Sequence, residues 1–472
     1  MNTILKYSIL CLVFSFSNII SSQESLEKLL PFEEYLAYVK KHHPLMKQAN
    51  LVLSIGEANL LKARGGFDPK IEIDYDRKLF KNTKYFDQLN TTFKIPTWYG
   101  VEFKANFENN TGAFLNPNLT VPKDGLYSAG VSFSLAQGFL INERMASLKK
   151  ARFFKEQTKA NRDLLVNNLL FKASKAYFNW LEATNAQRIH TSFLDNARKR
   201  LEAVKRSVLA GDKATIDITE ARIALQNRQL NLEAATLKYR KTLLIVSNYL
   251  WLNNVPIEIQ ENVIPTNPEI ATLKTVLLLD GITNLNILVN THPKLLSIDA
   301  KINELTIDRS LKRNKLLPKL DFQYNFLSTN NNQISNFNTS NYKAFVNFSI
   351  PLFLRKARGN VKLANLKLQD ANFVRVSTSL NLKNKVEAVQ AEIKSLNTQN
   401  GIINTIVNDY RILLNAEERK FFLGESSLFL INSREQKLID SQLKKNKLLI
   451  KQLIATASLY NTLGVSEPID NI

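Results

Sequence analysis

The stretch between Gly138 and Pro256 constrains this chain more than any other sequence feature. Residues 139–210 number 72 and contain no glycine or proline, and the 44 residues from 212 to 255 contain neither. Because these residue types are the strongest helix breakers, two uninterrupted runs that meet at Gly211 predict a long helical hairpin. About 70 helical residues would span about 100 Å, which is longer than a compact core requires. The stretch therefore predicts an elongated helical structure that spans a long distance.

The first of these helices carries apolar residues at alternating spacings of three and four. They are Leu194, Ala197, Leu201, Val204 and Val208. Such spacing is typical of helices that interlock their side chains in a coiled coil. The remaining positions are mostly Lys, Arg, Glu, Asn and Gln, which suits helices with water on at least one side. An isolated coiled-coil stalk would account for this pattern taken alone.

An internal repeat adds strands to this picture. His43-Pro44 and His292-Pro293 each begin a predicted helix, and in each case another proline follows 25 residues later, at Pro69 and at Pro318. Segments with an apolar residue at every second position come next, which is the period of a strand. Each copy then continues into a long helix, a glycine turn and another helix. A match of this length and order indicates a duplication, with Gly424 as the second turn.

We therefore expect five segments, which follow one another in order from the N-terminus. Residues 1–22 form a signal peptide and 23–255 the first repeat, with strands at about 70–136 and a hairpin turning at 211. Residues 256–290 form a linker, 291–464 the second repeat with strands at about 319–351, and 465–472 a tail. The first repeat differs by an insertion at about 86–125, in which the alternating run 101–107 can pair with 92–95 as an extra hairpin.

The N-terminus has the features of an export signal. Lys6 precedes the mostly apolar run from Tyr7 to Ile20, and Ser21-Ser22 follows as a place for cleavage. Cys11 is the only cysteine, so we expect the mature chain to form no disulfide. No later run of 18 apolar residues occurs, and we expect no transmembrane helix.

Charge and motifs indicate neither nucleic-acid binding nor catalysis. Lysine and arginine exceed aspartate and glutamate by 21, with clusters at 149–155, 309–315 and 355–362. No nucleic-acid motif accompanies them, so we expect wet helix surfaces, with contact to anionic lipid headgroups or an anion-attracting wall as alternatives. His43 and His292 lack metal-site companions and fit a structural role beside their prolines. We expect no enzyme activity, no cofactor and no metal.

Taken together, the signal, the duplicated halves, the paired strands and the long hairpins with glycine turns resemble the TolC-type outer-membrane efflux family. The resemblance covers almost all of the mature chain. It implies an α+β membrane protein and a homotrimer that shares one β-barrel, with four strands from each chain. The hairpins would continue the barrel as an α-helical tunnel through the periplasm. The insertion around Val101 departs from the family pattern and can extend the barrel, fold over its mouth or lie on its flank.

The function implied by the resemblance is passive conduction of cargo across the outer membrane. The chain would be the outer-membrane channel of a tripartite efflux or type I secretion system. Its partners would be a periplasmic adaptor protein, an inner-membrane transporter and outer-membrane lipid. The alternative is a non-conducting coiled-coil protein of the periplasm or cell surface, whose strands would not be embedded in lipid.

The resemblance also implies roles for residues near the turns. Gly211 and Gly424 would lie at the periplasmic tip and contact the adaptor. Family members often carry acidic residues six and nine positions after the second glycine, but Leu430 and Ser433 stand there in this chain. The equivalent positions of the first repeat are Asp217 and Glu220. We expect these acids either to form a cation-attracting aperture or simply to favour the start of a helix.

Overall fold

A computed structural model describes residues 28–281, 290–329 and 338–465. The predicted signal peptide, Cys11 and all of the predicted tail beyond residue 465 lie outside these ranges. In the described ranges no helix is both long enough and apolar enough to cross a membrane. The helices are α1 (Phe32–His42), α2 (Pro44–Arg64), α3 (Glu143–Leu209), α4 (Ile216–Ser247), α5 (Ile270–Val276), α6 (Pro293–Asn314), α7 (Arg355–Phe422) and α8 (Leu428–Leu463).

Ten described strands form three sheets. The strands are β1 (Lys28–Leu30), β2 (Lys70–Phe80), β3 (Thr83–Pro96), β4 (Val101–Thr111), β5 (Leu126–Ser134), β6 (Trp251–Leu252), β7 (Val255–Pro256), β8 (Val263–Pro265), β9 (Lys319–Ser328) and β10 (Tyr342–Ser349). The main sheet has six strands in the order β10-β9-β5-β4-β3-β2, with every neighbouring pair antiparallel. The parallel pair β1–β8 ties the start of the described chain to the linker.

The long helices form two hairpins, as the sequence predicts. Helix α3 has 67 residues and packs against α4, and α7 has 68 residues and packs against α8. The two hairpins meet where α3 contacts α8. Of the predicted coiled-coil residues, Leu194, Ala197, Leu201 and Val204 are all buried, which confirms that face of the helix. At about 1.5 Å per residue, α3 is about 100 Å long.

The sheet is wider than the family resemblance implies. Four strands per chain were expected from that resemblance, and the structure has six in one sheet. The difference comes from the insertion, since β3 pairs with β4 from Pro96–Glu102 to Asp87–Thr111. Both strands lie between β2 and β5 rather than beside the sheet. The extra hairpin predicted around Thr92 and Val101 is therefore present, and it is part of the main sheet.

Four helices lie side by side in the same order as the strands that continue them. Helix α2 packs on α3, α3 on α6, and α6 on α7. Along the chain, α2 leads into β2, β5 leads into α3, α6 leads into β9, and β10 leads into α7. The strand order β2, β5, β9, β10 thus repeats the helix order, and only β3 and β4 have no helix of their own.

A hydrophobic core joins the two repeats near the middle of α3 and at the C-terminal ends of α4 and α8. It contains residues of α1, α3, α4, α5 and α8, including the fully buried Tyr35, Tyr177 and Trp180. The Tyr177 hydroxyl donates to the Leu30 carbonyl at 2.7 Å, and the Tyr35 hydroxyl donates to the Ala173 carbonyl at 3.2 Å. Burial raises the pKa of Tyr177 to about 12, so the phenol remains a neutral donor. These contacts hold the N-terminal segment and the linker around the bundle.

Candidate functional site at the two ends of the hairpins

Both hairpins turn through the same glycine geometry. Gly211 and Gly424 have φ values of 82° and 80°, in the left-handed region that glycine adopts without strain. The Asp212 N–H donates to the Ser207 carbonyl at 2.9 Å, and the Glu425 N–H donates to the Lys420 carbonyl at 2.9 Å. These bonds across five residues are those of a Schellman motif, which satisfies the last carbonyls of a helix. The repeat thus extends to the hydrogen bonds of the turns.

The turns expose apolar side chains to an unusual degree. Leu209 is 88% exposed and Phe422 is 89% exposed. Four more surround them: Ile216, Leu423, Phe429 and Leu430. The two turns also contact each other, because the Lys213 ammonium lies 3.7 Å from the centre of the Phe421 ring. Exposed apolar patches with polar neighbours are typical of protein interaction sites.

The two acids suggested for an aperture lie just inside the first turn. Asp217 lies in the first turn of α4, and Glu220 lies one turn further along. Both are half-buried. A Glu220 carboxylate oxygen accepts a hydrogen bond from the Asn432 side chain of α8 at 3.3 Å, which links the two hairpins. Leu430 and Ser433, at the positions where the family often has acids, lie on α8.

A buried ion network joins the helices of both hairpins above the turns. Glu435 of α8 has a side chain only 1% exposed, and Arg200 of α3 contacts its two carboxylate oxygens at 3.0 and 3.1 Å. Arg228 of α4 contacts the same carboxylate at 3.2 Å. Arg200 also reaches Glu418 of α7 at 3.4 Å. Removing the shared carboxylate would leave Arg228 buried without its counter-charge, which is strongly destabilising.

The members of this network lie far apart in the sequence. Arg200 and Arg228 lie 235 and 207 positions before Glu435, and no local motif marks them. His190 lies nearby, and burial together with the charge of Arg228 lowers its pKa. This imidazole is therefore neutral at neutral pH and adds no positive charge to the network.

At the other end of the hairpins, the sheet separates apolar from polar side chains. Residues directly opposite each other share a face, and successive residues alternate between faces. One face carries mainly Ile71, Ile73, Tyr75, Leu89, Phe93, Ile95, Phe103, Phe107, Tyr127, Val131, Phe133, Phe322, Tyr324, Phe326, Val346 and Phe348, with Arg77, Asp87, Thr91 and Asn109 as polar exceptions. The other carries mainly Glu72, Asp74, Asp76, Asn90, Thr92, Lys94, Glu102, Lys104, Asn106, Ser128, Ser132, Asp321, Gln323, Asn325, Lys343 and Asn347. This alternation is typical of strands with lipid on one side and water on the other.

The basic clusters at the junction of sheet and helices are partly paired. Lys150 contacts Asp308 of α6 at 3.4 Å, and Lys155 contacts Glu57 of α2 at 3.2 Å. The Lys149 ammonium lies 5.8 Å from the Trp98 ring. These contacts favour the interpretation of the 149–155 cluster as a helix surface, because much of its charge is engaged within the chain.

The repeated His-Pro pairs cap helices. The His43 Nδ1 accepts from the Leu45 N–H at 3.1 Å, and the His292 Nδ1 accepts from the Lys294 N–H at 3.0 Å. The prolines after them occupy the first helical positions. These hydrogen bonds confirm the structural role expected for both histidines. In the described part of the chain, no cluster of three His, Cys, Asp or Glu residues could hold a metal ion.

Comparison with known proteins relates this chain to a sequence family and to several solved structures. The sequence profile of the outer membrane efflux protein family matches residues 100–250 and 285–465. The fold resembles the CmeC outer membrane channel of Campylobacter jejuni, at 13% identity and a TM-score of 0.65, over 91% of this chain and 85% of that one. It also resembles the open state of the MtrE outer membrane channel of Neisseria gonorrhoeae, at 13% identity and a TM-score of 0.65, over 92% and 88% of the two chains.

A third similar structure is the outer membrane protein VceC of Vibrio cholerae. It is 11% identical, with a TM-score of 0.65 over 92% of this chain and 95% of that one. No curated protein sequence matches this chain significantly. At such low identities the solved structures support a shared fold, whereas the family profile carries the relationship in sequence.

Proposed function

This chain belongs to the outer membrane efflux protein family, and we propose that it is the outer-membrane channel of a tripartite efflux or type I secretion system. One observation carries the proposal: a sheet with an apolar face and a polar face lies at one end of hairpins about 100 Å long, and exposed apolar turns lie at the other end. The sheet would sit in the outer membrane, and the hairpins would extend through the periplasm.

The channel would be a homotrimer. Among the described residues, the edge strands β2 and β10 each have a neighbour on one side alone, and a sheet in a membrane must close because lipid cannot satisfy the backbone groups of an edge. Other copies of the chain would supply the missing neighbours. The polar face would then line a water-filled pore, through which cargo passes passively from an inner-membrane transporter.

The turns would bind a periplasmic adaptor protein. Gly211 and Gly424 give both turns one shape, and Leu209 and Phe422 project exposed apolar side chains beside them. A helical hairpin of an adaptor could cover these side chains and remove their apolar surface from water. Crosslinking from cysteines placed at Leu209 and Phe422 would test this contact, with the half-exposed Lys205 further from the turn as control.

The acids near the first turn would form the aperture of the closed channel. In a trimer, three copies of Asp217 and of Glu220 would surround the axis, and rings of like charge favour ions of the opposite sign. Asp217→Asn with Glu220→Gln should reduce the preference for cations in reversal-potential measurements. Unchanged ion selectivity would refute the aperture.

Conductance of the purified protein in planar bilayers tests the proposed function as a whole. We expect discrete channels, recovery of the protein in the outer-membrane fraction and migration on gels that changes on heating. A soluble monomer without conductance would overturn the proposal and would favour the non-conducting coiled-coil protein instead.

A further inference from the structure

The structure points to a wider barrel than four strands per chain would make. We propose that β3 and β4 are strands in the wall of the membrane barrel. Six strands from each of three copies would then close an eighteen-stranded pore. This inference rests on the proposed trimeric channel and goes beyond it, because it assigns the inserted segment a place in the wall of the pore.

The first argument is the continuity of the sheet. Strand β3 pairs with β2 from Lys70–Lys94 to Phe80–Thr83, and β4 pairs with β5 from Val101–Phe133 to Glu108–Leu126. The inserted strands therefore separate β2 from β5 along their whole length. A flap over the mouth of a barrel would leave β2 and β5 as direct neighbours, and they are not.

The second argument is the chemistry of the two inserted strands. Phe93 of β3 and Phe103 of β4 lie on the same face as Val131 of β5, and Thr92 and Lys104 lie on the opposite face. The apolar band of the neighbouring strands thus continues across β3 and β4, although Thr91 and Asn109 also lie on this face. Strands that covered the mouth in water would have no reason to keep this alternation.

The third argument is the base of the inserted hairpin. Its turn contacts the start of α3, where Arg144 binds Glu102 at 2.7 Å and the Asn142 side chain donates to the Trp98 carbonyl at 3.0 Å. The Trp98 ring also stacks on Phe67 with centroids 5.6 Å apart. The turn between β3 and β4 is therefore anchored at the junction of sheet and helices, level with the bases of the other strands.

A second copy of this chain fits both free edges. Strands β2 and β10 are exposed along their full length, and their directions allow antiparallel pairing between copies, because β2 runs away from the helices and β10 runs towards them. On the polar face, β2 carries the acids Glu72, Asp74 and Asp76 together with Lys70 and Lys78, whereas β10 carries Lys343. The edge strand β2 is therefore net acidic on this face and β10 is net basic.

The dimensions agree with the helical part. With strands about 4.8 Å apart and tilted by about 40°, an eighteen-stranded barrel is about 36 Å in diameter, against about 24 Å for twelve strands. Four helices per chain support the sheet, and a ring of twelve helices about 9–10 Å apart has a circumference of about 110–120 Å, or a diameter of about 35–38 Å. The wider barrel therefore matches the ring of helices beneath it.

Spin labels on single cysteines test the proposal in reconstituted full-length protein, with Cys11→Ser as background. Labels at Phe93 and Phe103 should collide mainly with oxygen from the lipid, as should the control label at Val131. Labels at Thr92 and Lys104 should collide mainly with a water-soluble nickel reagent. If the labels at positions 93 and 103 are accessible only from water while the label at 131 faces lipid, the inserted strands are not part of the barrel wall. If 131 also faces water, the proposed channel function fails as well.

A disulfide between β4 and β5 provides a second test that does not depend on lipid. Ala105 and Ala129 lie directly opposite each other, so Ala105→Cys with Ala129→Cys should crosslink in assembled trimers. Ile73 and Val131 are separated by the two inserted strands, so Ile73→Cys with Val131→Cys should not crosslink. The reverse result, in which 73 and 131 crosslink and 105 and 129 do not, would overturn the eighteen-stranded pore.

Discussion

If the proposed channel opens by separation of its hairpins, removing the charge of Glu435 should favour the open state. Glu435→Gln keeps the size of the side chain but leaves Arg200 and Arg228 without their shared carboxylate. Arg228 has a side chain only 6% exposed, and it would keep its hydrogen bond to the Gln436 side chain. Arg200 is 13% exposed and keeps Glu418 at 3.4 Å, a carboxylate that is 41% exposed. The variant therefore leaves positive charge buried between the two hairpins.

The expected size follows from the burial of the network. Breaking a buried ion pair by removing one partner costs about 3–5 kcal/mol, because the other charge stays uncompensated. If the hairpins separate when the channel opens, the guanidinium groups become hydrated and this cost applies to the closed state alone. Each 1.4 kcal/mol corresponds to a factor of about ten, so the closed state should lose about two to four orders of magnitude in relative population.

Single-channel recordings at neutral pH provide the assay. Glu435→Gln should raise the open probability strongly, with trimer assembly checked by migration on gels. Asp195→Asn is the matched control, because Asp195 and Arg198 form an exposed ion pair within α3. That pair contributes at most about 1 kcal/mol. Adding Arg228→Met to Glu435→Gln should restore part of the closed state, since one buried charge is removed. An open probability for Glu435→Gln equal to that of Asp195→Asn would refute the reasoning.

Three further predictions concern stability. Burial, together with the charges of Lys294 and Lys385, lowers the pKa of His292 to about 4. Between pH 6.5 and 4 the unfolded chain therefore binds more protons than the folded chain does. The free energy of unfolding should fall by about 3 kcal/mol as the pH drops through that window. His292→Asn keeps the helix cap and should flatten this pH dependence in thermal melts. Gly211→Ala should cost about 1–2 kcal/mol locally and increase protease cleavage at the turn, whereas Gly359→Ala, inside α7, should not destabilise. Gly130→Ala would place a Cβ 2.1 Å from the Tyr324 carbonyl oxygen and should reduce trimer yield, unlike Ser128→Ala on the same strand.

The sequence predicts the inserted strands but not their position relative to the main sheet. The alternation in residues 101–107 predicts a strand, because side-chain period is a local property of the backbone. Whether that strand extended the sheet, covered its mouth or lay on its flank depended on which edge it paired with. Hydrogen bonds between strands are non-local, and only the structure places β3 and β4 between β2 and β5.

The sequence by itself determined the duplication, the two glycine turns and the great length of α3, since these follow from residue spacing and from the absence of helix breakers between Gly138 and Gly211. The tertiary structure alone decided that Arg200, Arg228 and Glu435 meet. These residues lie on three helices, and a difference of one residue in helix register would turn a side chain by about 100° away from its partners. Packing of the hairpins fixes that register, and no local sequence pattern encodes it.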